Sequence, residues 1–487
     1  MTQNHFNVIV VGAGISGIGA GYYLQKKCPN KSFVILEGRD NIGGTWDLFR
    51  YPGIRSDSDM NTMGFRFKPW MGVKSIADGP SILSYLQETV KENDLNKKIH
   101  FNQWVNEASW SSEDAQWTVQ AENKKTQEHQ DFTCDFLFLC GGYYNYEEGY
   151  TPHFAGRENF LGQIIHPQKW PKNLDYKNKK VVVIGSGATA VTIIPTMAEE
   201  AAHVTMLQRS PTYFLSAPDE DPVGNFLRKI ISSKLTYKLV RWKNIRFQWW
   251  FFQKCRKFPK KVKEFLITQV REALGPNYDI ETHFTPKYNP WEQRLCLVPN
   301  GDLFNAINAG KASVITDHID RFTKKGIKLK SGGEVEADLI VTATGLNLEV
   351  CNGIKLEVDN NEVDISKTMT YKGMMFSDVP NLVATFGYTN ASWTLRADLT
   401  SEYVCRLLNF MDKKGYAYCC PRTAEHVEQD GDWLDFTSGY VKRSMHKFPK
   451  QGSRDPWRNT QNFPKDVLAI RWGNIDNKEL KFTALEN

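Results

Sequence analysis

The chain has 487 residues, of which 41% are hydrophobic and 24% are charged, with a net charge of +6. This length predicts roughly two to four globular domains. No run approaches the roughly 18 uncharged apolar residues of a membrane-spanning helix, and Met1–Phe6 shows no signal-peptide pattern, so we expect a cytoplasmic protein. The nine cysteines are an odd number, and none of them form a C-x-x-C pair. Neither a redox dithiol nor a zinc or other metal site is therefore predicted.

A buried parallel strand is predicted first, at Phe6–Val11, and it leads into the turn Gly12-Ala-Gly14-Ile-Ser16-Gly17. In a dinucleotide-binding fold, such glycines permit a tight turn, admit a pyrophosphate and let the next helix pack closely. A second strand ends in Glu37, where a carboxylate can accept hydrogen bonds from a ribose. The sequence therefore predicts a nucleotide site here, and a purely structural glycine turn is the alternative.

A second glycine-rich loop follows directly, at Gly43–Leu48, and a loop of this kind suits close contact with a flat ligand. In flavoproteins with two dinucleotide folds the first turn normally takes FAD, so we expect this loop to line the isoalloxazine. Val105, at the end of a strand predicted over His100–Val105, is a further candidate. The predicted FAD contacts are Gly12, Gly14, Ser16, Gly17, Glu37, Gly44, Thr45, Trp46, Asp47, Leu48, Arg55, Ser56, Asp57 and Val105.

A further motif lies between the turn at Gly12 and a second dinucleotide turn that opens at Gly185. Its residues Phe160, Gly162, His166, Trp170 and Pro171 have the spacing F-x-G-x-x-x-H-x-x-x-W-P. This stretch resembles the fingerprint of the Baeyer–Villiger monooxygenases, flavoproteins that insert an oxygen atom beside a carbonyl. The alternative is a buried histidine and tryptophan at a domain boundary. We assign His166 and Trp170 to coupling domain movement with cofactor state rather than to bond-making.

A second dinucleotide turn, of the G-x-G-x-x-A kind, follows a strand predicted at Lys179–Ile184. The partner strand ends at Arg209 instead of the usual acid, and a guanidinium suits the 2′-phosphate of NADPH. A solvent-facing Arg209 is the alternative. The predicted NADPH contacts are Gly185, Ser186, Gly187, Ala188, Thr189, Ala190, Val191, Arg209 and Ser210.

The region that follows is predicted to be a helical insertion rich in aromatic residues. Between Pro222 and Lys263 there are thirteen Lys or Arg residues and no Asp or Glu. Residues 226–263 could contact an anionic membrane, which would make the protein membrane-associated. The alternative is that the aromatic side chains pack against the active-site domains while the lysines stay solvated. No nucleic-acid-binding module is recognisable, so nucleic acid is not an expected partner.

The resemblance to Baeyer–Villiger monooxygenases extends over essentially the full length and is greatest to their ethionamide-activating type. The stretches that carry it are GGTWDLFRYPGIRSDSD, GSGATAVT, MLQRSPTY, QRLCLVPNGDLF and GYTNASWTL. By this resemblance Arg294 is the catalytic arginine and Asp57 the carboxylate that orients it. From the residues alone, Asp57 could instead cap a helix or pair with Arg55. Several relatives carry lysine before the catalytic arginine, whereas this chain has Gln293.

The sequence thus predicts an α/β fold with two Rossmann-like domains, one for FAD and one for NADPH. The expected limits are 1–145 for the first FAD segment, 146–218 for the linker and first NADPH segment, 219–285 for the insertion, 286–340 for the second NADPH segment, and 341–487 for the second FAD segment and tail. By the resemblance, a ketone and O2 react through a flavin C4a-peroxide to give an ester or lactone, and sulfides or thioamides are also oxidised.

Two other functions remain open from the sequence. A flavin-containing monooxygenase limited to nitrogen or sulfur would need no arginine beside the flavin. A flavin-binding regulatory protein without turnover would not oxidise NADPH. The oligomeric state and the natural substrate are not encoded in any motif that we identify.

Overall fold

The computed structural model describes residues 4–423 and 427–484, so the domain limits predicted at residues 1 and 487 lie outside the described residues. Two large sheets organise this part of the chain. Each contains parallel strands followed by helices, and the expected α/β architecture with two Rossmann-like domains is confirmed.

The first dinucleotide domain is built on a nine-stranded sheet. Its strands, in spatial order, are Asn361–Glu362, Lys355–Val358, Trp104–Ser111, Gln116–Glu122, His129–Leu139, His5–Val11, Phe33–Glu37 and Ile99–Phe101, with Leu382–Ala384 beside His129–Leu139. Helices Ile15–Lys27, Gly79–Glu92 and Trp393–Lys414 cover one face with a large apolar cluster. The single strand predicted over His100–Val105 is wrong, because the chain turns at Asn102, where φ is 58°.

The second dinucleotide domain has a five-stranded sheet whose neighbouring strands are all parallel. Its strands, in spatial order, are Ala312–Thr316, His203–Gln208, Lys180–Ile184, Leu339–Thr342 and Gln163–Ile165. Helices Ala188–Met197 and Asp302–Asn308 pack on it, and their apolar side chains join those of the strands in one core. The fingerprint stretch therefore contributes an edge strand to this sheet.

The two domains are joined by two crossings of the chain, Tyr144–Gly149 and Leu346–Leu348, which pair as antiparallel strands. The remaining strands form small sheets: Phe214–Ala217 with Cys296–Pro299, Ile319–Phe322 with Gly326–Leu329 and Glu334–Glu336, Thr370–Tyr371 with Met375–Phe376, and Tyr418–Pro421 with Leu480–Thr483. The short helices are Thr45–Leu48, Met60–Met63, Leu95–Lys98, Arg157–Asn159, Pro167–Lys169, Val350–Gly353, Ile365–Lys367, Gly439–Ser444, Met445–Lys447, Phe463–Asp466 and Val467–Trp472.

Four helices occupy the region of the expected insertion: Pro222–Leu227, Ser233–Lys257, Pro259–Leu274 and Ile280–Phe284. The expectation that its aromatic residues pack against the domains is only partly met. Phe251 and Phe252 contact the ring of Trp291, with centroids 6.0 and 5.7 Å away. Four other aromatic side chains of the long helix face outward instead, namely Trp242, Phe247, Trp249 and Trp250.

One buried arginine ties the long helix to the first domain. Nη1 of Arg241 lies 2.9, 2.9 and 2.7 Å from the carbonyl oxygens of Asn61, Thr62 and Gly64. Its Nη2 lies 3.3 Å from the carboxylate of Asp398, whose pKa burial raises to about 6. The guanidinium thereby satisfies several polar groups that are out of reach of water.

Replacing Arg241 with Met is expected to lower the free energy of unfolding by about 3–5 kcal/mol, because Asp398 would lose its buried arginine partner. Urea unfolding followed by circular dichroism measures this change. Lys238→Met, at an exposed position of the same helix, is the control and should shift stability little. Equal losses in the two variants would contradict the role given to Arg241.

Candidate active site

A cavity of about 860 Å³ lies between the two domains, where the carboxyl ends of their central strands meet. Two glycines shape the first turn at its wall. Gly12 has a φ of +98°, and a Cβ added at Gly17 would lie 1.8 Å from the carbonyl oxygen of Gly12. The turn thus requires glycine at both positions. Ser16, at the start of the next helix, accepts a hydrogen bond of 2.7 Å from the indole nitrogen of Trp393.

Glu37 ends the second strand of the first domain and is buried against the same turn. Its carboxylate oxygens accept hydrogen bonds from the backbone nitrogens of Ala13, at 2.7 Å, and Arg39, at 3.0 Å. Burial raises the pKa of Glu37 above its ordinary value. Each oxygen keeps a second lone pair, so the carboxylate can still accept a ribose hydroxyl.

The segment Gly43–Leu48, predicted as a loop, ends in the short helix Thr45–Leu48 and lies directly over the first turn, since a Cβ added at Gly14 would be 3.6 Å from the Cα of Gly44. Asp47 is buried below this segment and pairs with Arg39 at 2.6 Å and with Arg50. These ion pairs hold the segment in place on its side that faces away from the cavity. Asp47 therefore supports the cavity wall instead of facing the cavity.

The next segment of the first domain reaches across to the second domain. The hydroxyl of Tyr51 is hydrogen-bonded to Thr189 in the second dinucleotide turn, and burial raises the pKa of Tyr51 to about 12. Arg55 forms an ion pair with Asp302. Arg55 is thus not the partner of Asp57, and the helix at Met60–Met63 is capped by Asp59. Both alternative roles considered for Asp57 are excluded.

Asp57 instead pairs with Arg294, whose Nε lies 3.1 Å from Oδ2 of the carboxylate. The negative charge of Asp57 raises the pKa of Arg294 above its ordinary value. The arginine side chain is 37% exposed, and the residue lines the cavity. A permanent cation therefore lies at the junction of the two domains with part of its surface free to meet a ligand.

Three tyrosines that the sequence did not reveal surround this cation. Tyr143 and Tyr144 lie where the chain passes from strand His129–Leu139 to strand Tyr144–Gly149, and their hydroxyls are 3.0 Å apart. Tyr440 comes from the C-terminal part of the chain. Burial raises the pKa of all three phenols, so they stay neutral near Arg294. The glycine pair before Tyr143 was the only nearby sequence signal, and nothing local pointed to Tyr440.

A second group missed from the sequence is Arg443, which lies at the cavity wall near Arg209. Its guanidinium stacks 3.5 Å from the ring centroid of Tyr150. Burial lowers the pKa of Arg443, and the positive charge of Arg209 acts in the same direction. Both cations line the cavity and are exposed to solvent, so the solvent-facing position considered for Arg209 is the one observed.

Most predicted site residues come together around this cavity. Those that line it are Gly12, Gly14, Ser16, Glu37, Gly44, Thr45, Trp46, Arg55, Ser56, Asp57, Val105, Gly185, Ser186, Gly187, Ala188, Thr189, Arg209, Ser210 and Arg294. Five others, all in the described part of the chain, lie behind its wall: Gly17, Asp47, Leu48, Ala190 and Val191.

His166 of the fingerprint contacts both crossings between the domains. Its Nε2 lies 3.1 Å from the carbonyl oxygen of Gly345, and its Nδ1 accepts a 3.2 Å hydrogen bond from the backbone nitrogen of Gln168. A Cβ added at Gly149 would lie 2.0 Å from the ring. Burial lowers the pKa of His166, so the ring is neutral, with Nε2 as donor.

Comparisons with known proteins agree with this geometry. A family model described as flavin-binding monooxygenase-like matches residues 75–376, and one described as an NAD(P)-binding Rossmann-like domain matches residues 10–72. The FAD-containing monooxygenase EthA of Mycobacterium tuberculosis is 53% identical, over 99% of this chain and 98% of its own length. The probable FAD-binding monooxygenase AlmA of Acinetobacter baylyi is 48% identical, over 99% and 96%.

The fold is also similar to that of solved structures. An oxidised steroid monooxygenase bound to NADP superposes with a TM-score of 0.79 at 20% sequence identity, over 99% of this chain and 100% of that chain. At this identity the likeness concerns the fold.

Acid should destabilise the protein partly through His166. The unfolded histidine binds a proton near pH 6.5, whereas the folded ring binds it only at lower pH, so stability is lost as pH falls below about 6.5. In His166→Gln the free energy of unfolding should therefore fall less steeply between about pH 6.5 and 5. Urea unfolding at each pH measures this slope. His446→Gln, at an exposed position, is the control, and an unchanged slope in His166→Gln would contradict the assignment.

Proposed function

Because the chain belongs to the family of flavin-binding monooxygenase-like proteins, we propose that it is an NADPH-dependent Baeyer–Villiger monooxygenase. It converts ketones and O2 to esters or lactones, and it also oxidises sulfides or thioamides. The observation that carries this proposal is the Asp57–Arg294 ion pair in a cavity shared by both dinucleotide domains.

The first domain holds FAD. Gly14 and Gly44 pack on each other and line the cavity, where a pyrophosphate would approach their backbone, while the buried carboxylate of Glu37 is placed for a ribose hydroxyl. The side chains of Thr45, Trp46 and Ser56 line the cavity beyond the turn. These features fit a dinucleotide, and FAD, when bound and reduced, supplies the oxygen-activating chemistry.

Arg294 is the catalytic residue of this proposal. Oxygen transfer to an electrophilic ketone carbon requires a nucleophilic, negatively charged oxygen, and a guanidinium stays positive at any working pH. Its field would strengthen when the cofactors and substrate displace water from the cavity, and the tyrosines beside it are neutral. Asp57 holds the guanidinium in place through its Nε and leaves other nitrogens free to face the cavity.

The second domain holds NADPH. Its turn is open, since a Cβ added at Gly187 would meet nothing within 4 Å. Arg209 would pair with the 2′-phosphate, and Arg443 adds a second positive charge at that end of the cavity. Arg443 thus compensates for the uncharged Gln293, which stands where several relatives carry a lysine.

His166 and Trp170 couple the movement of the domains to the state of the cofactors. His166 contacts Gly149 and Gly345, next to the two crossings, while Trp170 packs on the core of the second domain. A rotation between the domains would have to change the contacts of this ring. Neither side chain is assigned a bond-making step.

Replacing Arg294 with Ala should abolish ester formation from a methyl ketone, because no cation would stabilise the negatively charged oxygen. We expect a loss of at least about 100-fold in kcat with retained flavin absorbance. Product analysis by gas chromatography measures it. Arg321→Ala, on an exposed strand of the second domain, is the control.

The same assay separates the rival activities. Undiminished ester formation by Arg294→Ala would refute the role of this residue. Sulfoxide from a methyl sulfide without ester from the ketone, in the unaltered protein, would identify a flavin-containing monooxygenase. An absence of NADPH oxidation with every substrate would favour a regulatory protein.

Replacing Arg209 with Ala should raise the KM for NADPH about tenfold to 100-fold, since hydrogen bonds to a charged group contribute about 1.5–3 kcal/mol. The KM for NADH should change little, because NADH lacks the 2′-phosphate. Initial rates of nucleotide oxidation measure both constants. Gln293→Lys should shift the preference in the opposite direction, and an equal rise for both nucleotides in Arg209→Ala would contradict the assignment.

A further inference from the structure

The long helix Ser233–Lys257 exposes an apolar stripe. Leu235, Leu239, Trp242, Trp249 and Trp250 recur at helical spacing and are exposed to solvent, with Trp242 at 60%. Residues three, four and seven apart lie on one face of a helix. This stripe therefore runs along the outward face over most of the length of the helix.

The inward face of the same helix is mixed, since its buried residues are Thr236, Tyr237, Val240, Arg241 and Cys255. Asn244 and Gln248 donate hydrogen bonds of 2.9 and 2.8 Å to the carboxylate of Asp59, and Arg241 bonds to nearby carbonyl groups. A surface helix normally turns its apolar face to the core and its polar face to water. Here Tyr237 and Val240 are buried on the inward face, yet Trp242, Trp249 and Trp250 lie on the exposed face, so packing within the chain does not explain these three tryptophans.

Neighbouring segments extend this apolar surface. Phe226 and Ile230, in and after the preceding helix, are 61% and 62% exposed, and Met71 and Val73 are similarly exposed on a loop beside them. Arg228 holds that loop by donating a 2.8 Å hydrogen bond to the carbonyl oxygen of Gly72. We call these residues, together with the stripe, the apolar surface. Single exposed apolar side chains are ordinary on a protein exterior, whereas a group of neighbouring ones marks an interaction site.

The charge of the surrounding segment indicates the partner. Thirteen basic residues and no acidic residue lie between Pro222 and Lys263. Arg246 lies over the ring of Trp242, 4.6 Å from its centroid, and Lys254 lies over Trp250 at 5.6 Å. Exposed tryptophans interleaved with cations match the boundary between lipid headgroups and acyl chains.

We propose that the apolar surface and its basic flanks bind an anionic lipid bilayer as a peripheral contact. A second copy of this chain is a poorer occupant, because it would oppose the basic flank with the same charge. Nucleic acid would use the cations but not the aliphatic side chains of Leu235, Leu239 and Ile230. Between residues 4 and 484, apart from 424–426, no helix is long and apolar enough to cross a membrane.

Binding in this orientation would also place the cavity close to the bilayer. Asp59, which the inward face of the helix contacts, lies two positions from Asp57, and Phe252 packs on Trp291, three positions from Arg294. Apolar substrates dissolved in the membrane would then start close to the site. The membrane contact itself stands on its own observations and does not depend on the proposed reaction.

Flotation of the full-length protein with vesicles tests this contact. The protein should float with vesicles that contain phosphatidylglycerol and stay unbound with phosphatidylcholine alone, and about 0.5 M salt should weaken the binding by screening. The triple variant Trp242→Ala, Trp249→Ala, Trp250→Ala should bind at least about tenfold more weakly. Its circular dichroism spectrum should be unchanged, because the three side chains are exposed.

The matched control is the triple variant Leu161→Ala, Leu468→Ala, Trp472→Ala, which removes three exposed apolar side chains elsewhere and should bind like the unaltered protein. Failure of the unaltered protein to float would overturn the proposal, as would equal binding to neutral vesicles or full binding by the first triple variant. A dimer that the first triple variant dissociates, without flotation, would identify a second copy as the partner.

Discussion

The ion pair between Asp57 and Arg294 joins the two dinucleotide domains at the centre of their shared cavity. Asp57 does not cap the neighbouring helix, which Asp59 caps, and Arg55 pairs with Asp302 instead. Because Asp57 holds the guanidinium through its Nε, the remaining surface of this group is left for the cavity.

The two crossings between the domains are also held by contacts at the domain boundary. The chain crosses between the domains twice, and the two crossings pair with each other as short antiparallel strands. His166 packs on Gly149 so closely that any larger residue there would displace the ring, and it also bonds to Gly345. A single side chain of the fingerprint, His166, thus contacts the chain at both crossings. This placement is consistent with a coupling role and leaves the cation free for chemistry.

The insertion shows where local sequence rules stop being sufficient. Its aromatic and basic residues predict helices, and helices form, but composition cannot tell which face turns inward. The inward face combines the buried side chains of Tyr237 and Val240 with Arg241, Asn244 and Gln248, whose polar groups satisfy backbone and carboxylate groups of residues 59–64. With these groups on the inward side, the helix presents Trp242, Trp249 and Trp250 to the outside.

The two dinucleotide folds could be predicted from the residues alone, because glycine spacing, buried strands and strand-end polar residues act over short stretches. The sequence also brought Asp57, Arg209 and Arg294 forward as candidates. Tyr440 and Arg443 were not among these candidates. The strand predicted over His100–Val105 was wrong, because the chain turns at Asn102 and separates two strands there. The pairing of Asp57 with Arg294, the closeness of Arg443 to Arg209 and the exposure of the tryptophans on the long helix are visible only in the folded chain. These contacts join residues far apart in the chain, and their energies depend on burial and distance, which no local pattern encodes.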